Sequence, residues 1–323
     1  MKRLFCLVLI SMCVLLTGCQ EKKVQIPENA SDKLMVSHLT EEKLFFVEGR
    51  NVEAVDLGVT IAGMTRAGES GLMFTTKDDG FLYTLDLESG GLRKLVHVGK
   101  GRNELLYNEE TQHVYLAASQ DDRIQIVDMH EEEVIKSIGV GDFPISMRMD
   151  PENENLFVVN NSSSSISVID VNDYNAVKEF PVPNIPEGIW VDDSKLYVGG
   201  HGPVHGELNR YVYVFDRSNG EQTDRIEVGS MPVKLFSPKG ATYLYAVSHG
   251  SHELHRIALK DYSQVDQLQV GANPYGINGE NERIFVSNID EGTISIIDTN
   301  PFQMKGEISI PGAPGSIVSG GGE

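Results

Sequence analysis

Four of the nine histidines crowd into two short glycine-containing stretches. His201 and His205 lie in Gly199-Gly200-His201-Gly202-Pro203-Val204-His205-Gly206, and His249 and His252 lie in Ser248-His249-Gly250-Ser251-His252. Imidazole titrates near neutrality and is the commonest transition-metal ligand. With Asp or Glu support, such a set suits a divalent transition metal: Zn²⁺, Cu²⁺ or Ni²⁺. Gly202 and Gly206 free the backbone to bring ligands together. Against a metal, the spacing is no established signature, and histidines that only hydrogen-bond are common in polar surface loops. His255 falls within an apolar run and reads as structural. His38, His97, His113 and His130 are scattered and read as structural or solvated.

No catalytic residue is assigned. The chain has no nucleophile elbow, P-loop or zincin helix, and the glycine pairs at Gly99 and Gly139 lead into strand patterns rather than a helix. All three cysteines, Cys6, Cys13 and Cys19, lie in the first nineteen residues, so the rest of the chain has no thiol for a disulfide, a metal or a nucleophile.

The histidines sit in a repeat. Leu156–Asp170 reads LFVVNNSSSSISVID: an apolar β-branched run, a polar turn and a second such run. That pattern predicts two antiparallel strands. The frame recurs at Leu72–Asp86, Val114–Asp128 and Ile284–Asp298. Leu244–Ala258 keeps it without the final Asp, Leu196–Asp216 with a longer turn and Leu44–Asp56 with a shorter one, giving seven copies. The copies end at positions 56, 86, 128, 170, 216, 258 and 298. A period of about 42 residues made only of short strands predicts a propeller with four strands per blade. A fourth strand follows each frame, as in Val134–Val140. A Gly/Pro turn, as in Gly141-Asp142-Phe143-Pro144, then leads into the inner strand of the next blade. Asp56, Asp86, Asp128, Asp170, Asp216 and Asp298 recur because a carboxylate at a strand end accepts turn N–H groups, and that regularity argues against catalysis.

The pattern V-G-x-x-P, L-[YF]-V-x-N, I-S-V-I-D resembles the YVTN/YncE-like β-propeller repeat. Val270-Gly271-Ala272-Asn273-Pro274, Phe285-Val286-Ser287-Asn288 and Ile294–Asp298 carry the likeness most closely. The resemblance implies an extracytoplasmic all-β protein, commonly without a catalytic signature. The expected fold is a seven-bladed β-propeller over residues 33–323, closed by pairing of N- and C-terminal strands, since an open ring would leave two exposed edges. The tail Pro311–Glu323 and Lys33–Leu39 compete for the closing place.

Turns within the frames and turns entering the inner strands should share one rim of the ring. His201 and His249 occupy equivalent places there on adjacent blades, as do Lys77, Ser119, Asn161 and Ile289 in other copies. Asn161, Asp142, Glu187, Lys234 and Tyr275 are expected at the channel mouth. Lys100 and Arg102 form a small basic turn that would meet an anion, although a solvated turn is the simpler reading. Trp190 reads as core.

Residues 1–18 read as an export signal: Lys2 and Arg3 precede an apolar run too short to span a bilayer. Leu16-Thr17-Gly18-Cys19 resembles the lipobox of bacterial lipoproteins, which implies cleavage before Cys19 and lipidation of its thiol. Residues 19–32 read as the lipidated Cys and a polar tether. The expected location is the bacterial membrane, lipid-anchored and facing the extracytoplasmic side. The formal charge is −20, and losing Lys2 and Arg3 makes it more negative still. That balance disfavours nucleic acid, whose binding rests on Lys and Arg. The expected function is a binding or scaffold module that presents its rim to a protein, a cell-envelope component or a small molecule. The alternative is a metal-dependent hydrolase or lactonase-like enzyme, or a metal-binding protein, with its site at the histidines.

Overall fold

The computed structural model describes residues 22–320, apart from 153, 184, 204, 239, 264 and 281. The expected signal and Cys19 lie outside the described residues. Strands dominate. The helical elements among the described residues are two 3₁₀ turns, Ala30–Asp32 and Ser119–Asp121, and no helix there is long and apolar enough to cross a membrane.

Seven antiparallel sheets form the blades of a propeller. Blade three shows the plan. Pro144–Met149 is innermost, followed outward by Asn155–Asn160, Ser165–Asp170 and Asn175–Pro181. Blades one, two, four, five and six begin with Ile61–Ala67, Arg102–Asn108, Pro186–Val191, Pro232–Phe236 and Pro274–Glu280. The expected frame is therefore the second and third strands of each blade, and its turn shares a rim with the turn entering the inner strand. In blade three, the Asn161 and Ser162 N–H groups donate to the carbonyls of Phe143 and Asp142.

The closing blade uses both chain ends. Pro314–Val318 is its innermost strand and pairs with Leu34–His38, with Lys43–Glu48 and Asn51–Asp56 outside. The tail and Lys33–Leu39 are not competitors after all: they fill adjacent places. The phase of one copy also changes. Leu44–Asp56 holds the third and fourth strands of its blade, so the short first step of the repeat reflects a frame displaced by one strand.

The core is divided into seven apolar clusters, one between each pair of neighbouring blades. One face of each strand meets the blade ahead and the other meets the blade behind, which explains near-continuous runs such as LFVVN. The recurrent Asn ends the second strand and holds the third. Asn160 Nδ2 donates to Ser165 Oγ and Ser167 Oγ at 3.0 and 2.8 Å, and Asn288 Nδ2 donates to Thr293 Oγ1 and Ser295 Oγ at 2.9 Å each. In blade five, Ser248 and the buried His255 take these places, 3.2 Å apart, as the structural reading of His255 requires. Asp86, Asp128, Asp170 and Asp216 accept turn N–H groups as expected, and Asp298 instead pairs with Lys305.

Part of the expected tether is docked. Lys22–Lys23 pairs with the outer edge of blade one, Val24 is buried there, and Ala30 is fully buried against the same cluster. Val24, Ile26 and Ala30 are too sparse to form a periodic pattern, yet they suffice to cover an edge strand.

His38 staples the closure. Its Nδ1 faces the N–H groups of Thr40 and Glu41 at 3.2 and 2.8 Å, and its Nε2 faces the Ala313 N–H at 2.9 Å. A neutral imidazole accepts at one nitrogen and an imidazolium at neither. Burial lowers the His38 pKa from 6.5; Glu41 opposes this, while Lys43 and Lys77 reinforce it. A histidine with a depressed folded pKa contributes stability above its unfolded pKa and loses it as pH falls. Chemical denaturation at stepped pH should therefore show stability declining below about pH 6.5. His38→Gln should remove on the order of 1 kcal/mol of that decline. An unchanged slope in the variant would exclude His38 as its source.

Candidate functional site

The seven inner strands surround a central channel. Lys234 Nζ of blade five lies 3.9 Å from Glu104 Oε2 of blade two. These blades are not neighbours, so the pair reaches across the channel axis. Both side chains keep a quarter to a third of their surface exposed, 24% and 32%, towards the channel. Burial raises the Glu104 carboxyl, against the pull of Lys234 and Arg148. Burial alone would lower the Lys234 ammonium, but Glu104, Tyr275 and Glu187 outweigh it, and the net direction is upward. The Arg148 guanidinium lies 3.9 Å from the centre of the Trp190 ring, which is half-buried and also packs on Phe236. Trp190 thus forms part of the core, as expected, and also a platform for a channel cation.

At the mouth, the repeat sets a rule and then breaks it. In blades two, three and five, the residue after the second strand reaches to the carbonyl of the proline that starts the next blade. Ser119 Oγ donates to Pro144 O at 2.7 Å, Asn161 Nδ2 to Pro186 O at 2.8 Å, and the His249 ring to Pro274 O. His201 instead meets Glu187 of its own blade, Nε2 to Oε2 at 2.8 Å. Where Glu187 stands, the other proline-started inner strands carry Ile145, Val233, Tyr275 and Gly315. The departure therefore involves both partners.

The His201 and His249 rings are 5.9 Å apart between centroids. The hydrogen bond to Glu187 raises the His201 pKa despite burial. Burial, followed by the charge of His201, lowers that of His249. The two imidazoles are therefore driven apart, one holding its proton and one shedding it. That pairing can donate to and accept from one bound polar group.

The other expected histidines do not join them. His205 is exposed on the long turn of blade four. His252 accepts the Asn273 N–H at its Nδ1, 3.0 Å away, in a left-handed turn. Among the described residues, no three His, Cys, Asp or Glu side chains are arranged to hold a metal ion. Of the other expected rim residues, Glu187, Lys234 and Tyr275 gather at the channel. Asn161 is committed to Pro186, and Asp142 and Lys100 are exposed. Arg102 is not available to an anion. It is 5% exposed, and its guanidinium donates to Asp121, Gln125 and the Lys100 carbonyl. Glu104 and Arg148 were missed as channel residues. The signal was present: where Glu104 stands, other inner strands carry Gly63, Ser146, Gly188 and Gly276, apart from its partner Lys234, and where Arg148 stands four of them carry Leu106, Trp190, Phe236 and Val318.

The architecture and the channel mouth together define a β-propeller with a polar, repeat-breaking sector on one rim. No family model matches the chain, and no curated protein matches it. Solved structures match its fold. A functionally unknown protein from Desulfotomaculum acetoxidans aligns with a TM-score of 0.71 at 10% identity, over 89% of this chain and 98% of that one. The hydrazine synthase of Kuenenia stuttgartiensis aligns with a TM-score of 0.64 at 17% identity, over 79% and 88%. The Pan2 WD40 domain of Neurospora crassa aligns with a TM-score of 0.66 at 13% identity, over 84% and 86%. At these identities the likeness shows the fold alone, and function must be argued from the site.

Proposed function

We propose that this protein is an extracytoplasmic binding module, held at a bacterial membrane by lipid on Cys19, that takes its ligand at the channel mouth beside Glu187, His201 and His249. The observation that carries the reading is the break in the repeat. Three blades use the same place for an inter-blade staple, whereas blade four diverts His201 to Glu187 and gives up that bond. Ile289 has no donor for such a bond and Lys77 reaches the Leu39 carbonyl, but His201 has a donor and turns it to a carboxylate of its own blade instead, which points to another use for that side chain. The metal-dependent alternative needs three ligands converging on one point, and among the described residues Glu187, His201 and His249 are not so arranged, because Glu187 is paired directly with His201; the binding reading fits the geometry better.

Two variants test the two halves. Cys19→Ala should move the protein from the membrane fraction to the soluble fraction and abolish labelling by radioactive fatty acid; persistent labelling would remove the anchor from the proposal. Glu187→Gln should leave the fold intact but uncouple His201. A thermal-shift screen of cell-envelope fragments and peptides should find ligands that stabilise the wild type, by about 2.7 kcal/mol at one hundred times Kd, and stabilise Glu187→Gln much less. Equal stabilisation of both proteins by every ligand found would place binding elsewhere.

A further inference from the structure

The turns entering the inner strands of blades three to six place the residue before the proline in the left-handed region: Phe143 at φ 56°, Ile185 at 54°, Met231 at 59° and Asn273 at 57°. The blade-two turn has Gly101 there, at φ 75°. Glycine and asparagine are the residues suited to this conformation, and for other L-residues it costs roughly 1–2 kcal/mol. A β-branched residue such as Ile185 is an outlier there. On three successive blades the chain nonetheless holds a large apolar side chain in this position. Core packing does not compensate the strain, because none of the three belongs to an interblade cluster. Phe143 is 41% exposed.

These turns are joined to the candidate site. The carbonyls of Phe143, Ile185 and Met231 accept the N–H groups of Asn161, His201 and His249. Each apolar tip thus stands beside a polar side chain of the mouth. The long turn of blade four extends the ridge. Leu208 is 50% exposed, and the next residue, Asn209, accepts the Met231 N–H at 2.7 Å. The flanks are acidic: Asp122 Oδ1 accepts the Phe143 N–H, and Asp142 and Glu207 are exposed, on a chain of net charge −20.

We propose that Phe143, Ile185, Met231 and Leu208 form a docking ridge for a basic segment of a partner protein, whose apolar side chains seat on the ridge while its cations face the surrounding carboxylates. This rests on the binding-module reading and names its partner class. Strain kept at a binding surface rather than relieved by Asn or Gly is expected where the side chain serves recognition.

The test uses the full-length protein, its Phe143→Asn/Ile185→Asn/Met231→Asn variant, and Glu187→Gln. The probes are a fluorescent peptide of alternating leucine and lysine and two analogues, one with serine for leucine and one with glutamate for lysine, at physiological salt. The leucine–lysine peptide should bind the wild type at least about tenfold more tightly than either analogue, and the triple variant should lose about tenfold or more. The triple variant should melt no lower than the wild type, because asparagine suits the turn. Peptide binding that survives the triple variant but falls in Glu187→Gln would overturn the ridge and leave the mouth standing. Binding insensitive to both would overturn both readings. No preference for the leucine–lysine peptide, or preference for the acidic one, would overturn the basic partner.

Discussion

A chain ending at Ala313 is expected to lose cooperative folding altogether. Pro314–Val318 is the innermost strand of the closing blade, and Ile317 and Val318 are each 6% exposed. Full burial of such side chains contributes about 1.5–3 kcal/mol apiece. Removing the strand also strips Leu34–His38 of its ladder partner and leaves an inner edge unpaired at the channel. The lost contacts reach the neighbouring blades as well, since Pro314–Val318 lies against the inner strands of blades one and six. The sum is on the order of the whole stability of a domain, 5–15 kcal/mol. Circular dichroism melting and size exclusion should show an expanded or aggregating species without a sharp transition. A truncated chain that melts cooperatively within a few degrees of the full one would mean that the ring does not depend on closure by its end. Gly312→Ala is the milder probe of the same joint. Gly312 has φ 86°, and a Cβ there would collide with His38 Nε2.

The ring was legible because its unit is written repeatedly. LFVVN, VYLAA and IFVSN all bury alternate side chains in opposite interblade clusters, and the asparagine that ends the first and the last of them has defined partners in the third strand. The closing blade was less legible for a physical reason: its strands come from both ends of the chain, so no single stretch shows the unit whole. Leu34–His38 reads LMVSH, with His38 in the place of the usual Asn, and Leu44–Asp56 imitates a frame one strand out of phase.

At the site, residue type proved a weaker guide than departure from the repeat. Crowding of histidines pointed to four residues, but only His201 and His249 share the mouth, because His205 is exposed on the long turn of blade four and His252 is taken by the Asn273 N–H of the turn entering blade six. Glu187 was expected at the mouth, yet its partner follows only from the staple that His201 fails to make. Arg102 looked like a free basic turn because sequence spacing does not reveal that Asp121 and Gln125 close over it. The αL residues Phe143, Ile185 and Met231 carry no sequence signal of strain, since backbone conformation is set by the turn and not by the side chain it holds.

Replacing Lys234 by methionine should cost about 2–3 kcal/mol at neutral pH. Removing one partner of a fully buried ion pair costs 3–5 kcal/mol, and the partial exposure of Lys234 and Glu104 reduces that figure through solvent screening. The loss comes chiefly from what remains: Glu104 would sit in the channel near Glu187 without the ammonium that offsets its burial. The pH dependence identifies the cause. Burial raises the folded Glu104 pKa above its ordinary 4.5. A carboxyl raised in the folded state contributes stability that is present below its unfolded pKa and lost as pH rises through the folded one. Without Lys234 the folded value rises further, so the gap between variant and wild type should widen towards neutrality and shrink near pH ~4. His38 affects both proteins alike and cancels in that difference. Lys234→Met/Glu104→Gln should recover most of the stability at pH ~7, because an apolar and a neutral polar group leave no uncompensated charge. Urea unfolding of the three proteins across this pH range would measure it. A Lys234→Met penalty that is independent of pH and undiminished in the double variant would show that Lys234 acts through packing of its stem rather than through the charge it sets against Glu104.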